Sequence, residues 1–284
     1  MVGAPFQASL LDTDLLDTDL LDTDLLDTDL LDTDLPHVDL LNPAPRDAGF
    51  ADAGVSGAGA AARVRPPGAG LRRHRLAGGA WVDVRRHWIA GADSLFERLR
   101  AEVPWRAERR PMYDRTIDVP RLLRFYDQGQ PLPDPVLDAA RQALDEHYVA
   151  ELGERFTTVG LAFYRDGRDS VAWHGDRTGR GSTEDTMVAI LILGAPRALL
   201  LRPRAGGPAD PRWVTRPGGR GTGAYPRPGG TEAGGTTPIR HELGHGDLLV
   251  MGGSCQRTWE HAVPKTARPV GPRISVQFRP RNVR

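Results

Sequence analysis

A perfect pentapeptide repeat, Leu-Leu-Asp-Thr-Asp, runs five times from Leu10 to Asp34 and removes that stretch from any ordinary core. On a helix each repeat turns by roughly 140° from the last, and on a strand an odd period alternates faces. The leucines never collect on one side, and the aspartates of the repeat repel one another. The expectation is a disordered low-complexity tail over residues 1–78, with a Pro/Ala/Gly/Arg linker at 42–78 behind the acidic repeat. Residues 79–284 are left to fold as one domain.

The zero formal net charge conceals a basic body. Eleven aspartates and no lysine or arginine lie in residues 1–45, so 37 less 11 leaves 26 acidic residues against 37 basic ones. Such a body suits a polyanion such as nucleic acid, although biased genomic composition produces arginine-rich chains as well. The single cysteine, Cys255, excludes a disulfide framework and any cysteine-built zinc or iron–sulfur site. No apolar run is long enough to cross a bilayer, and the start lacks the basic-then-apolar order of a signal peptide. A soluble, cytoplasmic monomer is expected.

Element signals change along the chain. Ala80–Val84 reads as a strand, and a short helix capped by Asp93 or Ser94 carries Leu95, Phe96, Leu99 and Val103 before Pro104 stops it. A second helix has Asp134 as its cap, Pro135 in its first turn and Gly153 at its end. Short strands follow at 170–173, 187–193, 198–202, 247–251 and 273–279. Helices first and strands afterwards imply an α+β protein with a β-sandwich or barrel in its C-terminal half. The Gly/Pro-rich stretch 203–240 is expected to be a disordered loop insertion.

Two metal sites compete. His241-Glu242-Leu243-Gly244-His245 matches HExxH, which on a helix binds zinc with the glutamate as general base. Gly244 and Gly246 weaken a helix there and a strand follows, so a turn with incidental histidines is favoured over a protease. The other constellation is dispersed: His174 and Asp176 stand two apart at a strand end, and His261 lies far downstream. Two imidazoles and one carboxylate form the facial triad of non-haem Fe(II) oxygenases. In 273–279 the alternation is strict, with Arg273, Ser275, Gln277 and Arg279 on one face and Ile274, Val276 and Phe278 on the other. Arginines on the polar face can line a pocket and bind a carboxylate bidentately.

Taken in order, Tyr164-Arg-Asp-Gly167, Asp169-Ser-Val-Ala-Trp-His174-Gly-Asp176, Leu193-Gly-Ala-Pro-Arg197, Gly246–Met251, Gln256…Trp259…His261…Pro264-Lys265 and Arg273…Arg279 resemble the AlkB-type 2-oxoglutarate- and Fe(II)-dependent dioxygenases, especially their bacterial branch. The resemblance covers about residue 79 to the C-terminus, apart from 203–240. It implies a double-stranded β-helix (jelly-roll) core with N-terminal helices and a nucleotide-recognition lid. It implies Fe(II) on the catalytic residues His174, Asp176 and His261, with 2-oxoglutarate and O₂ as cosubstrates. Tyr164, Arg273, Ser275 and Arg279 would line the cosubstrate site, Arg273 gripping the distal carboxylate. Tyr113 and Arg121 in the lid would stack on and steady a flipped or single-stranded base. The implied function is oxidative demethylation of N-alkylated bases in DNA, or in RNA, releasing formaldehyde, succinate and CO₂. The chain departs from the family pattern at Ala162 and Ser275, where many members have Asn, and at Thr178, where an acidic residue is common. Two alternatives stay open: an oxygenase of the same type acting on a small molecule or protein, and a catalytically weak nucleic-acid-binding relative.

Overall fold

The computed structural model describes residues 61–112, 115–206, 213–215, 224–226 and 237–283. The acidic repeat lies outside these residues. The chain opens with β1 (Arg63–Val64), β2 (Leu71–Arg75), β3 (Ala80–Arg85) and β4 (Ile89–Ala90), then α1 (Ala92–Glu102). A hairpin of β5 (Arg106–Met112) and β6 (Arg115–Tyr126) precedes α2 (Pro135–Leu152). Eleven further elements complete the fold: β7 (Thr158–Tyr164), β8 (Val171–His174), β9 (Val188–Gly194), β10 (Arg197–Pro203), β11 (Trp213–Thr215), β12 (Ala224–Pro226), β13 (Ile239–Leu243), β14 (Leu248–Gly253), α3 (Cys255–Thr258), β15 (Trp259–Val263) and β16 (Arg273–Arg279).

From β7 onward the strands alternate between two antiparallel sheets. The major sheet runs β2-β3-β14-β9-β16-β7-β6-β5, and the minor sheet runs β13-β10-β15-β8. The chain goes major, minor, major, minor through β7 to β10, and β10 turns back on β13 within the minor sheet. It then returns major, minor, major through β14, β15 and β16. This winding is a double-stranded β-helix, the architecture expected from the sequence.

Strands β14 and β9 of the major sheet are covered on both faces, and their buried residues are apolar on both. In β9, Val188, Ile190 and Ile192 face the minor sheet and meet Leu199, Leu201 and Leu243. Its alternate residues Ala189, Leu191 and Leu193 pack under α1 and α2 against Leu95, Leu99, Leu137 and Leu144. In β16 the two faces differ: Ile274, Val276 and Phe278 join the helix-covered core, while Arg273, Ser275, Gln277 and Arg279 take the alternate positions. α2 begins as its sequence dictates, the Asp134 carboxylate accepting from Val136 N at 2.9 Å, and ends at Gly153 with φ 78°.

Several expectations need correction. Order begins before residue 79, because β2 pairs with β3 along its whole length and β1 with β4. The sequence of β2 hides this, having one apolar residue in five. Its anchor is Arg73, which stacks 3.6 Å from the Trp81 ring centroid and binds buried Asp83 with two nitrogens at 2.8 Å. Within 203–240 the short strands β11 and β12 pair antiparallel, so the stretch is not structureless. The cap of α1 is Gly91 at φ 66°, not Asp93 or Ser94.

Candidate active site

Each member of the His174–Asp176–His261 triad comes from a different local device. β8 ends at His174, whose ring lies against His261 across the β8–β15 ladder, with centroids 4.2 Å apart. The preceding Trp173 lies under the Arg202 guanidinium, 4.4 Å from its ring centroid. Asp176 sits on the turn after His174, made possible by Gly175. A Cβ at 175 would lie 2.6 Å from the Gln256 carbonyl and 3.2 Å from that of Trp259. The three ligand atoms lie within 4.8 Å of one another, and among the described residues this is the one His/Cys/Asp/Glu cluster of three so arranged.

Protonation suits a cation there. His174 Nδ1 lies 2.9 Å from the Ala172 carbonyl, which can only accept. Nδ1 therefore carries the proton and Nε2 keeps its lone pair for a metal. Burial drives the His261 imidazole down to about 3, helped by His174, and lowers His174 against the pull of Asp176. Burial alone would raise the Asp176 carboxyl, but Arg279 and the two imidazoles override it and hold the group well below the usual carboxylate range. Arg279 Nε donates to Asp176 Oδ2 at 2.9 Å, leaving Oδ1, 3.9 Å from His174 Nε2, on the ligand side. Two neutral imidazoles and a carboxylate are the donor set that non-haem Fe(II) takes.

Arg273 and Tyr164 are register partners on β16 and β7, and the guanidinium carbon is 5.6 Å from the Tyr164 ring centroid. Arg273 is 1% exposed, yet its Nε and Nη1 have no hydrogen-bond partner among the described residues. Burial pushes it down to about 10, which still leaves it cationic at neutral pH. A buried guanidinium with two unpaired nitrogens costs too much to be mere packing, and a dicarboxylate arriving from solvent would satisfy it. Ser275 and Gln277 continue the same face toward Arg279, with the Gln277 amide donating to Ser275 Oγ. Gly160 opposite Gln277 leaves room: a Cβ there would lie 3.0 Å from Arg279 Nη1. Ala162 stands opposite Ser275.

The lid residues divide. Arg121 Nη1 donates to the Ser170 carbonyl at 3.0 Å, and Ser170 N donates to Pro120 O, so β6 bridges to the segment entering β8. Tyr113 lies outside the described residues. The HExxH segment is not a helix: His241–Leu243 ends β13, and Gly244–Gly246 forms the turn into β14. His241 faces His74 at 6.0 Å between ring centroids, whereas His245 Nδ1 accepts from Gly194 N at 2.7 Å. The two histidines serve different neighbours. Sequence reasoning gave no role to Gln256, whose Oε1 accepts from Asp176 N at 2.9 Å, because nothing in a local pattern marks a contact across 80 residues. Gln277 was visible in the β16 alternation.

Several known proteins are similar to this chain in sequence. The family model for the 2OG-Fe(II) oxygenase superfamily matches residues 89–279. The "Alpha-ketoglutarate-dependent dioxygenase alkB homolog 3" of Bos taurus is 30% identical over 74% of this chain and 66% of its own length. Its Homo sapiens counterpart is 29% identical, over 70% and 63%. The Arabidopsis thaliana "DNA oxidative demethylase ALKBH2" is 32% identical over 49% of this chain and 42% of its own. The chain thus spans somewhat under two thirds of the length of the alkB homolog 3 proteins it matches. Iron and 2-oxoglutarate are the pair that the superfamily's name specifies, and the triad and the unpaired Arg273 fit both. From the β-helix, its three ligands and these matches, the chain belongs to the 2OG-Fe(II) oxygenase superfamily as an AlkB-type member.

Proposed function

We propose that this protein is a dioxygenase that oxidatively demethylates N-alkylated bases in nucleic acid, converting 2-oxoglutarate and O₂ to succinate and CO₂ and releasing the methyl carbon as formaldehyde. The observation that carries the reading is the His174–Asp176–His261 cluster beside a buried, unpaired Arg273. When bound, iron with 2-oxoglutarate supplies an oxidant able to hydroxylate an N-methyl C–H bond. The chain's own residues do the rest. His174, Asp176 and His261 hold the metal through neutral imidazoles and an ionised carboxylate. Arg273 takes the distal carboxylate of the cosubstrate, Tyr164 flanks it, and Ser275 and Gln277 give a polar wall toward Arg279. Arg279 holds Asp176 Oδ2, which would leave Oδ1 free to ligate the metal.

Nucleic acid is the favoured substrate for two reasons. The body of the chain is basic outside residues 1–45, and the relatives matched include proteins named as DNA oxidative demethylases. Arg121 on β6, together with Tyr113, is assigned to hold an extruded or single-stranded base. The test is 2-oxoglutarate turnover with matched oligonucleotides. Succinate release should rise when the strand carries N-methylated bases and should equal the formaldehyde formed. Equal succinate with methylated and unmethylated strands would remove nucleic acid from the assignment and favour a small-molecule or protein substrate.

A further inference from the structure

Three of the groups that shape the metal site are anchored to strands or to charged partners, but the turn that carries Asp176 is held from one unexpected place. Gln256 lies in α3, the four-residue helix that leads into β15 and so into His261. Its side chain is 1% exposed, and its Oε1 accepts the backbone N–H of Asp176 at 2.9 Å. Its own backbone carbonyl is the atom that Gly175 packs against most closely. One residue therefore grips the 175–176 turn with both its main chain and its side chain.

The choice of an amide here is costly. Gln256 Nε2 is buried with no hydrogen-bond partner among the described residues. If the position served packing alone, an apolar side chain of the same length would avoid that unpaired donor. Cys255 beside it in the chain is just as buried and joins an apolar cluster. What an apolar residue cannot do is accept the Asp176 N–H, and that bond sets the position of the carboxylate relative to His261, five residues after Gln256 in the chain.

We infer that Gln256 is a positioning residue for the metal centre, linking the turn that bears Asp176 to the segment that bears His261 so that the three ligands are held in one geometry before the metal arrives. The inference rests on the iron-site reading given above. Residues in this position around a metal typically alter affinity by about 10–100-fold when changed.

The test measures metal binding rather than turnover. Mn(II), a spectroscopically convenient stand-in for Fe(II), is titrated by electron paramagnetic resonance into the full chain as wild type, His261→Ala, Gln256→Met, Gln256→Glu and Cys255→Ala. Thermal midpoints of the metal-free proteins are recorded alongside. Gln256→Met should weaken Mn(II) binding by about ten-fold or more and broaden the spectrum of the bound ion. Gln256→Glu, which keeps an acceptor oxygen of the same reach, should bind close to wild type. Cys255→Ala should lower the thermal midpoint and leave Mn(II) affinity alone. Should Gln256→Met not fold, the glutamate and alanine variants still decide: weak binding in Gln256→Glu, or equal loss in Cys255→Ala, overturns the inference. Wild-type affinity in a folded Gln256→Met overturns it directly. Wild-type protein that binds no Mn(II), or binds it as well as His261→Ala does, overturns the iron site itself and the inference with it.

Discussion

At the scale of single residues, the sharpest feature is Arg273, a guanidinium sealed in the interior with two nitrogens unpaired. Removing one partner of a buried, hydrogen-bonded charge pair costs about 2–5 kcal/mol. Arg273→Gln should therefore raise the 2-oxoglutarate concentration needed for half-maximal succinate release by at least about 30-fold. Metal affinity in the same variant should stay within a few-fold of wild type, since Arg273 touches none of the triad. Calorimetric titration of the metal-loaded protein with 2-oxoglutarate separates the two effects. Both residue sets were legible to different degrees. The arginines were readable because β16 alternates strictly. The triad was readable less sharply: His174 and Asp176 stand two apart at a strand end, but His261 follows Asp176 by 85 positions, and the ordered series of motifs strengthens the link. The Asp176–Gln256 bond left no trace in any local pattern.

At the scale of elements, two predictions follow from caps and seams. Asp134 caps α2 through Val136 N and also binds Arg98 Nε at 2.7 Å. Asp134→Ala should destabilise the fold by about 1–2 kcal/mol in urea unfolding, with an unchanged denaturant slope. The second concerns His241 on β13, which burial, with help from His74 and Arg86, pulls down to about 4. An unfolded histidine titrates near 6.5, so between those values the unfolded chain binds the extra proton. Stability from this residue is present above about pH 6.5 and is lost as the pH falls toward 4. The fall should be shallower in His241→Gln, measured by thermal unfolding from neutral to acid pH. α2 was readable from its cap, its first-turn proline and its closing glycine, all local signals. β2 was not, since an Arg-rich strand gains its place from Trp81 and Asp83 rather than from its own hydrophobicity. HExxH is the converse case: its five residues match a motif, but Gly244 and Gly246 argue against a helix, and β10 recruits His241–Leu243 as a strand.

At the scale of the whole molecule, charge is divided between an acidic beginning and a basic remainder. A chain lacking residues 1–45 loses eleven aspartates and no basic residue. It should bind single-stranded DNA more tightly than the full chain at low salt, and the gap should narrow as salt rises. Fluorescence anisotropy over a salt series checks this. No described helix is long and apolar enough to cross a membrane. We propose that one barrel brings His174, Asp176, His261 and a carboxylate-binding Arg273 together to remove N-methyl groups from nucleic acid. The most direct test is mass spectrometry of a single-stranded oligonucleotide carrying N1-methyladenine or N3-methylcytosine, incubated with Fe(II), 2-oxoglutarate and either wild-type protein or His261→Ala. The account predicts that the oligonucleotide loses one methylene mass with the wild type and stays intact with the variant. An oligonucleotide left intact by the wild type, or demethylated equally by both, would contradict it.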